Sequence, residues 1–279
     1  MIDLFTWLFE PLTFEFMRNA LLVGGILGVL CAVVGSYLIV KQMSMIGGVI
    51  AHAVIPGLSL ALFLQVHLAI GAFLAGICSA LVVAAIETRS RVKVDAAMAL
   101  TLTTFLGVGV ILISQLETNQ IDLSSLLFGD ILGVKRQDVW QAIIITSIVL
   151  ILAKLFYKEL LFYTFDPLGA KASGLPVNLL YFGLICAITL TIVASMQTVG
   201  VLLVMSLLVG PAITAYLLVK ELHQMMWLGS IFGVISTLSG MYASYYLDVP
   251  SGAAIVTSIF LLFGLAFFLS PSQGILVKR

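Results

Sequence analysis

Polar residues in this chain fall in short clusters, and the intervals between them are long, apolar and almost free of charge. The apolar runs, charged only at Glu87 and Lys154 near their ends, cover residues 19–40, 46–64, 68–87, 96–115, 139–156, 178–195, 199–219, 226–246 and 251–269. A helix needs roughly 20 apolar residues to cross a bilayer, so each run predicts a membrane-spanning helix. The expected fold is all-α, a polytopic membrane bundle of about eight to nine spans that takes residues 1–279 as a single domain. Because the runs are apolar on most faces, periodicity leaves the rotation of each helix unfixed.

Composition excludes the soluble alternative. Hydrophobic residues make up 62% of the 279 and charged residues only 9%, against about 25% charged in soluble domains. The 24 Gly and 7 Pro suit packed helices whose neighbours satisfy freed backbone groups. Cys31, Cys78 and Cys186 sit inside apolar runs at unrelated spacings, so they read as small hydrophobes and not as a disulfide or metal framework. At the N-terminus Asp3, Glu10 and Glu15 precede Arg18, the reverse of a signal peptide's charge order, and the first span is expected to be retained.

Charge fixes an expected orientation. If the loop with Arg89, Arg91 and Lys93 is cytoplasmic, Lys41, Lys154, Lys158, Lys171, Lys220, Lys278 and Arg279 share that side, leaving Arg18, Lys135 and Arg136 opposite. The positive-inside rule then places the N-terminus outside and the C-terminus in the cytoplasm. Asp3, Glu10, Glu15, Glu117, Asp122, Asp130, Asp138 and Asp248 fall on the outer face, which attracts cations or a basic docking partner.

One ionisable side chain stands deep in a span: His52, in MSMIGGVIAHAVIPGLSL. Intramembrane histidine is costly and marks a candidate functional site. On a 3.6-residue period Ser44, Gly48, His52, Ile55 and Ser59 share a face, a small and hydroxylic stripe suited to line a path; a packing histidine bonded to a neighbouring helix is the plainer alternative. Pro56-Gly57 interrupts the same helix, and Gly210-Pro211 interrupts the seventh. Paired interruptions of this kind point to a substrate site near the midplane. Met43 and Met45 suggest soft-metal ligands only weakly, since methionine is a common apolar filler; His67 and His223 lie at span ends.

The connection at residues 157–177, YKELLFYTFDPLGAKASGLPV, is longer than a turn requires. Asp166-Pro167 is a helix start and Gly174 with Pro176 a stop, which predicts a short helix on the cytoplasmic surface. No GxxxxGK[ST] phosphate loop is present. No pair of mid-membrane carboxylates or motif-borne nucleophile suggests an enzyme. Proton- or sodium-coupled carriers usually place acidic or basic residues within their spans; here those cluster at span ends, so any pumping energy comes from elsewhere, or the protein is a passive pore.

Five tracts in order, GSYLIVKQMSMIGGVIAHAVIPGLSLAL, KVDAAMALTLTTFLGVGVILIS, LLFGDILGVKRQDV, FDPLGAKASGLPV and QTVGVLLVMSLLVGPAITAYLL, together resemble the membrane permease subunits of bacterial manganese, zinc and iron ABC importers. The resemblance implies a homodimeric permease in the cytoplasmic (inner) membrane, embedded in the lipid bilayer, with no nucleic-acid partner and no tightly held cofactor. Its cargo would be Mn2+, Zn2+ or Fe2+, with manganese leading. An extracytoplasmic metal-binding protein would deliver the ion, and ATP-binding-cassette ATPase subunits would hydrolyse ATP beneath.

The resemblance also implies site roles. His52 would be a metal ligand; Ser44, Gly48, Pro56, Gly57, Gly210 and Pro211 would line or gate the path; Asp166, Pro167, Gly169, Ala170 and Gly174 would form the ATPase-coupling helix. The family's motif usually reads like GDALSHAVLPG, and this chain has Gly48 where the Asp stands. Two symmetry-related His52 residues, backbone carbonyls near Pro56, an outer carboxylate such as Asp130, or a largely water-filled site would each compensate. An importer of chelated metal (siderophore or cobalamin type) and a partner-free channel or structural membrane protein are the alternative functions.

Overall fold

In lipid the backbone has only itself to hydrogen-bond, and helices are the form in which an apolar segment satisfies every peptide group. The chain follows that rule in a computed structural model that describes residues 9–115, 129 and 131–270. Asp3, Glu117, Asp122, Asp130, Lys278 and Arg279 lie outside the described residues. Among those described, the helices are α1 (Glu15–Val40), α2 (Ser44–Phe63), α3 (Leu68–Arg89), α4 (Val94–Gln115), α5 (Arg136–Leu155), α6 (Tyr157–Phe165), α7 (Pro167–Ala172), α8 (Val177–Val199), α9 (Val201–Tyr216), α10 (Leu222–Leu247) and α11 (Ser251–Leu269).

Eight of these helices have the length and apolar composition to cross a membrane. The seventh run, residues 199–219, forms α9, whose 16 residues extend only about 24 Å at 1.5 Å per residue. Sequence places a loop at 196–198, yet α8 continues to Val199 and a single residue, Gly200, makes the turn. Gly200 holds φ at +80°, where a β-carbon is disfavoured. Ile192 and Leu208, equidistant from Gly200, border one small cavity, so α8 and α9 form a tight helical hairpin.

The bundle has two packed groups. α2 packs with α3 and α4, while α1 packs with α9 and α10; α11 covers α9 and α10, and α5 rests on α1 and α8. Burial follows this order: 78% of the apolar window of α2 and 67% of that of α1 are inside the protein, against 22% for α4 and α5 and 17% for α11. The outer helices thus offer apolar side chains to lipid, where exposure carries no penalty.

Small residues set the closest crossings, as expected where lipid supplies no hydrophobic drive between helices. Gly28 of α1 faces Gly233 of α10, and a β-carbon on Gly28 would stand 2.9 Å from the Gly233 carbonyl carbon. Beside them the Thr237 hydroxyl lies 2.9 Å from the Gly233 carbonyl and 3.3 Å from that of Gly24, tying α10 to α1. At one end of the bundle α6, on which α7 packs, meets the α1–α2 turn, where Lys41 sits over the ring of Tyr163.

Candidate functional site

α2 stays helical through Pro56. The proline ring has no N–H, so the carbonyl of His52, four residues earlier, loses the donor it would otherwise accept from. The imidazole of the same residue is half-buried, and its Nδ1 is buried with no hydrogen-bond partner among the described residues. An unsatisfied buried nitrogen costs about 1–3 kcal/mol, so His52 carries a donor atom toward the protein interior without a structural return.

One turn earlier on α2, Gly48 has no side chain, and α9 fills the gap. A β-carbon at residue 48 would lie 2.8 Å from the terminal methyl of Met205, 3.9 Å from its sulfur and 3.3 Å from Leu102 of α4. Ser44, Gly47, Gly48, Ile192, Met205, Leu208 and Val209 enclose a cavity of about 10 Å³, room for one water at most. Ser44 and Gly48 of α2 thus pack closely against α8 and α9. Met205 escapes a reading of the sequence, since nothing in an all-apolar helix says which face meets Gly48.

The other small and interrupted positions have different neighbours. Pro56 packs against Gly109 of α4, and Gly57 makes a close backbone approach to Gly71 of α3. Gly210 faces Ile259 of α11, and the Pro211 carbonyl lies near Gly229 of α10. The two Gly/Pro interruptions thus face separate neighbours, and α9 reaches α2 through Met205 and Leu208 instead. Ser59 is buried and donates to the Ile55 carbonyl at 3.1 Å.

The remaining candidate ligands are dispersed. His67 caps α3, its Nδ1 accepting from the Ala69 amide at 3.3 Å, and His223 pairs with Glu221 at 3.3 Å on an exposed surface. Met45 is exposed, while Met43 packs against the core. The three cysteines are unpaired: Cys31 is buried, Cys186 half-buried and Cys78 exposed. No group of three or more His, Cys, Asp or Glu side chains arranged to hold a metal occurs among the described residues. A cavity of about 400 Å³ lies away from His52, between Val33, Leu150, Tyr157 and Trp227.

The segment between α5 and α8 has ends written in local chemistry. Asp166 caps α7, its Oδ1 accepting from the Gly169 amide at 2.8 Å, with Pro167 in the first position. A β-carbon at Gly169 would strike that carboxylate, 2.8 Å from its Cγ, so the missing side chain lets the cap close. At the other end the Gly174 amide bonds Lys171 O and the Leu175 amide bonds Ala170 O, each at 3.1 Å, with Gly174 at φ +82°. This is a Schellman stop. Ala170 is fully buried, whereas Leu168 is 81% exposed, an apolar side chain held out at the end of the bundle.

Beside this segment Lys41 Nζ stands 3.7 Å from the ring centroid of Tyr163. Burial lowers the Lys41 ammonium from the ordinary lysine value, with the Glu87 carboxylate opposing. Tyr163 is pushed up to about 12, by burial first and then by Tyr181 and Glu87, so its phenol stays neutral at physiological pH.

Comparison with known proteins places this geometry. Residues 13–270 match the ABC 3 transport family. The manganese transport system membrane protein MntC of Halalkalibacterium halodurans is 39% identical over 274 residues, 98% of this chain and 94% of that protein. A probable iron transport system membrane protein of Haemophilus influenzae is 40% identical over 253 residues, 91% of this chain and 93% of that one. PsaBC from Streptococcus pneumoniae, solved in complex with Fab, superposes with a TM-score of 0.87 at 36% identity, covering 98% of each chain. The helical bundle, the interrupted α2 and the capped α7 thus stand in a chain that belongs to the ABC 3 transport family.

Proposed function

We propose that this chain is the permease of an ATP-driven importer for a divalent transition metal, in which His52 meets the ion as it passes along α2. The observation that carries the reading is the buried, unpartnered Nδ1 of His52 one turn from the close packing of Gly48 against Met205. An ion shedding water within a membrane needs nitrogen or oxygen in exchange, and His52 offers an imidazole nitrogen and a main-chain carbonyl freed by Pro56. A second copy of the chain would bring a second His52. So few ligands suit a carrier, which must release its cargo as well as bind it. Manganese leads because relatives of matching length are named for manganese, with iron beside it.

ATP hydrolysis falls to a separate subunit, and α7 is the element proposed to meet it. Its caps make a stiff six-residue helix with Leu168 free to enter a groove. Lys41, Arg89, Arg91, Lys93, Lys154, Lys158, Lys171 and Lys220 border the helix ends and connections beside α6 and α7, which supports a cytoplasmic placement of that end. A metal-binding protein would then deliver the ion at the opposite face.

The test is uptake. In cells lacking their own manganese importers, the His52→Ala permease, co-produced with its ATPase and binding protein, is expected to lose radiolabelled manganese uptake at limiting metal by about tenfold or more. The ATPase should still copurify with it. Undiminished uptake would remove His52 from the path.

A further inference from the structure

Four elements bring polar side chains together at the α7 end of the bundle, where Tyr163 is buried, Lys41 and Tyr181 are half-buried and Glu87 is exposed. Lys41 closes α1, and α2 begins at Ser44 after a turn of three residues. That turn is stiff: the Gln42 amide bonds Ile39 O at 3.0 Å and the Met43 amide bonds Leu38 O at 2.9 Å, the paired bonds of a Schellman stop. Lys41 Nζ sits 3.7 Å from the centroid of the buried Tyr163 ring on α6. Glu87, in the last turn of α3, is near enough to act electrostatically on Lys41, Tyr163 and Tyr181 of α8.

Two members of this region have no partner among the described residues. The Tyr181 hydroxyl and Glu159 Oε2 are both buried and unbonded, and Glu159 is four residues from Tyr163, on the same face of α6. A static brace satisfies its buried polar groups. Here a lysine with three donors rests on a π face, while the Tyr181 phenol on α8 and a carboxylate oxygen one turn along α6 from Tyr163 are left open, so α6 and α8 have unused pairings available when α6 shifts against α1.

The route through the cluster is short. Tyr163 lies three residues before Asp166, the cap of α7; Lys41 lies three residues before Ser44, where α2 begins; and His52 follows two helical turns later on α2. We propose that the Lys41–Tyr163 contact is the joint through which displacement of α7 is delivered to the helix that carries His52. Lys41 and Tyr163 are positioning residues in this scheme and touch no cargo. The inference rests on the reading of α7 as the ATPase-docking helix.

Its test uses the assembled permease and ATPase in vesicles, measuring metal transported per ATP hydrolysed. Lys41→Met and Tyr163→Leu are each expected to lower that ratio about tenfold while hydrolysis stays near the parent rate, and the double variant should fall no further than either single one. Lys41→Arg and Tyr163→Phe keep a cation and a ring, and should keep the ratio. Parallel loss of transport and hydrolysis in assembled complexes, in the leucine and methionine variants alike, would reduce the contact to a brace; an unchanged ratio in those variants would remove it altogether. If the parent permease itself fails to bind an ATPase, the reading of α7 falls first and the joint with it. A coupled parent with coupled variants overturns the joint alone.

Discussion

At the scale of single residues, Met205 takes the space beside Gly48, the position where the motif this chain resembles has an Asp. The thioether occupies the ground a side chain at 48 would take, so restoring a carboxylate is a two-residue change. The terminal methyl of Met205 ends an unbranched side chain and yields easily, which makes Gly48→Asp tolerable to the fold while leaving the acid crowded by sulfur and by Leu102. Gly48→Asp alone is expected to leave manganese uptake close to the parent. Gly48→Asp with Met205→Ala is expected to raise apparent affinity by about tenfold, the scale on which groups around a metal act. Uptake at graded manganese concentrations checks both, and a full gain from Gly48→Asp alone would show that Met205 does not fill the site. His52 was legible in the sequence because an ionisable group inside an apolar run declares itself; Met205 was not, because its meaning depends on which way α9 is turned.

Among the elements, α7 was the most legible and the α8–α9 hairpin the least. Caps are chemistry between residues a few positions apart, so Asp166-Pro167 and Gly174 fix both ends of α7 before any packing is known. The hairpin is legible as a break at residues 196–198, but the turn falls on Gly200 alone, because polar Gln197 and Thr198 stay within α8, whose amides still find carbonyls four residues back. The caps carry a prediction of their own. Asp166→Ala removes the acceptor of the Gly169 amide and should cost α7 about 1 kcal/mol, enough to speed hydrogen exchange at that amide roughly fivefold. Asp166→Asn, which can still accept, should stay near the parent. Gly174→Val forces a branched residue to positive φ, at about 1–2 kcal/mol, and should weaken copurification of the ATPase together with transport. Unaltered exchange and retention in both Asp166→Ala and Gly174→Val would mean that the caps do not hold α7 in shape.

For the whole molecule, the all-α class and a count of eight to nine crossings follow from the lengths of apolar runs, because a bilayer sets a minimum length and the backbone has no other way to satisfy itself inside it. Which helix lies at the centre does not follow: α2 and α11 are both strongly apolar, yet 78% of one window is inside the protein and 17% of the other. The difference lies in where glycines admit close neighbours and where lipid takes their place. Orientation rests on a collective property, the crowding of basic residues at the end shared by α6 and α7, and it decides whether α7 can meet an ATPase at all. A single reporter on each face tests it. Arg91, in the α3–α4 connection, and Lys135, just before α5, are both exposed and fall on opposite sides under the positive-inside rule. With the native cysteines replaced, Arg91→Cys is expected to react with a membrane-impermeant maleimide only in inverted vesicles and Lys135→Cys only in intact cells stripped of outer barriers. The reverse pattern would turn the bundle over and put α7 outside, beyond the reach of any cytoplasmic ATP-hydrolysing partner.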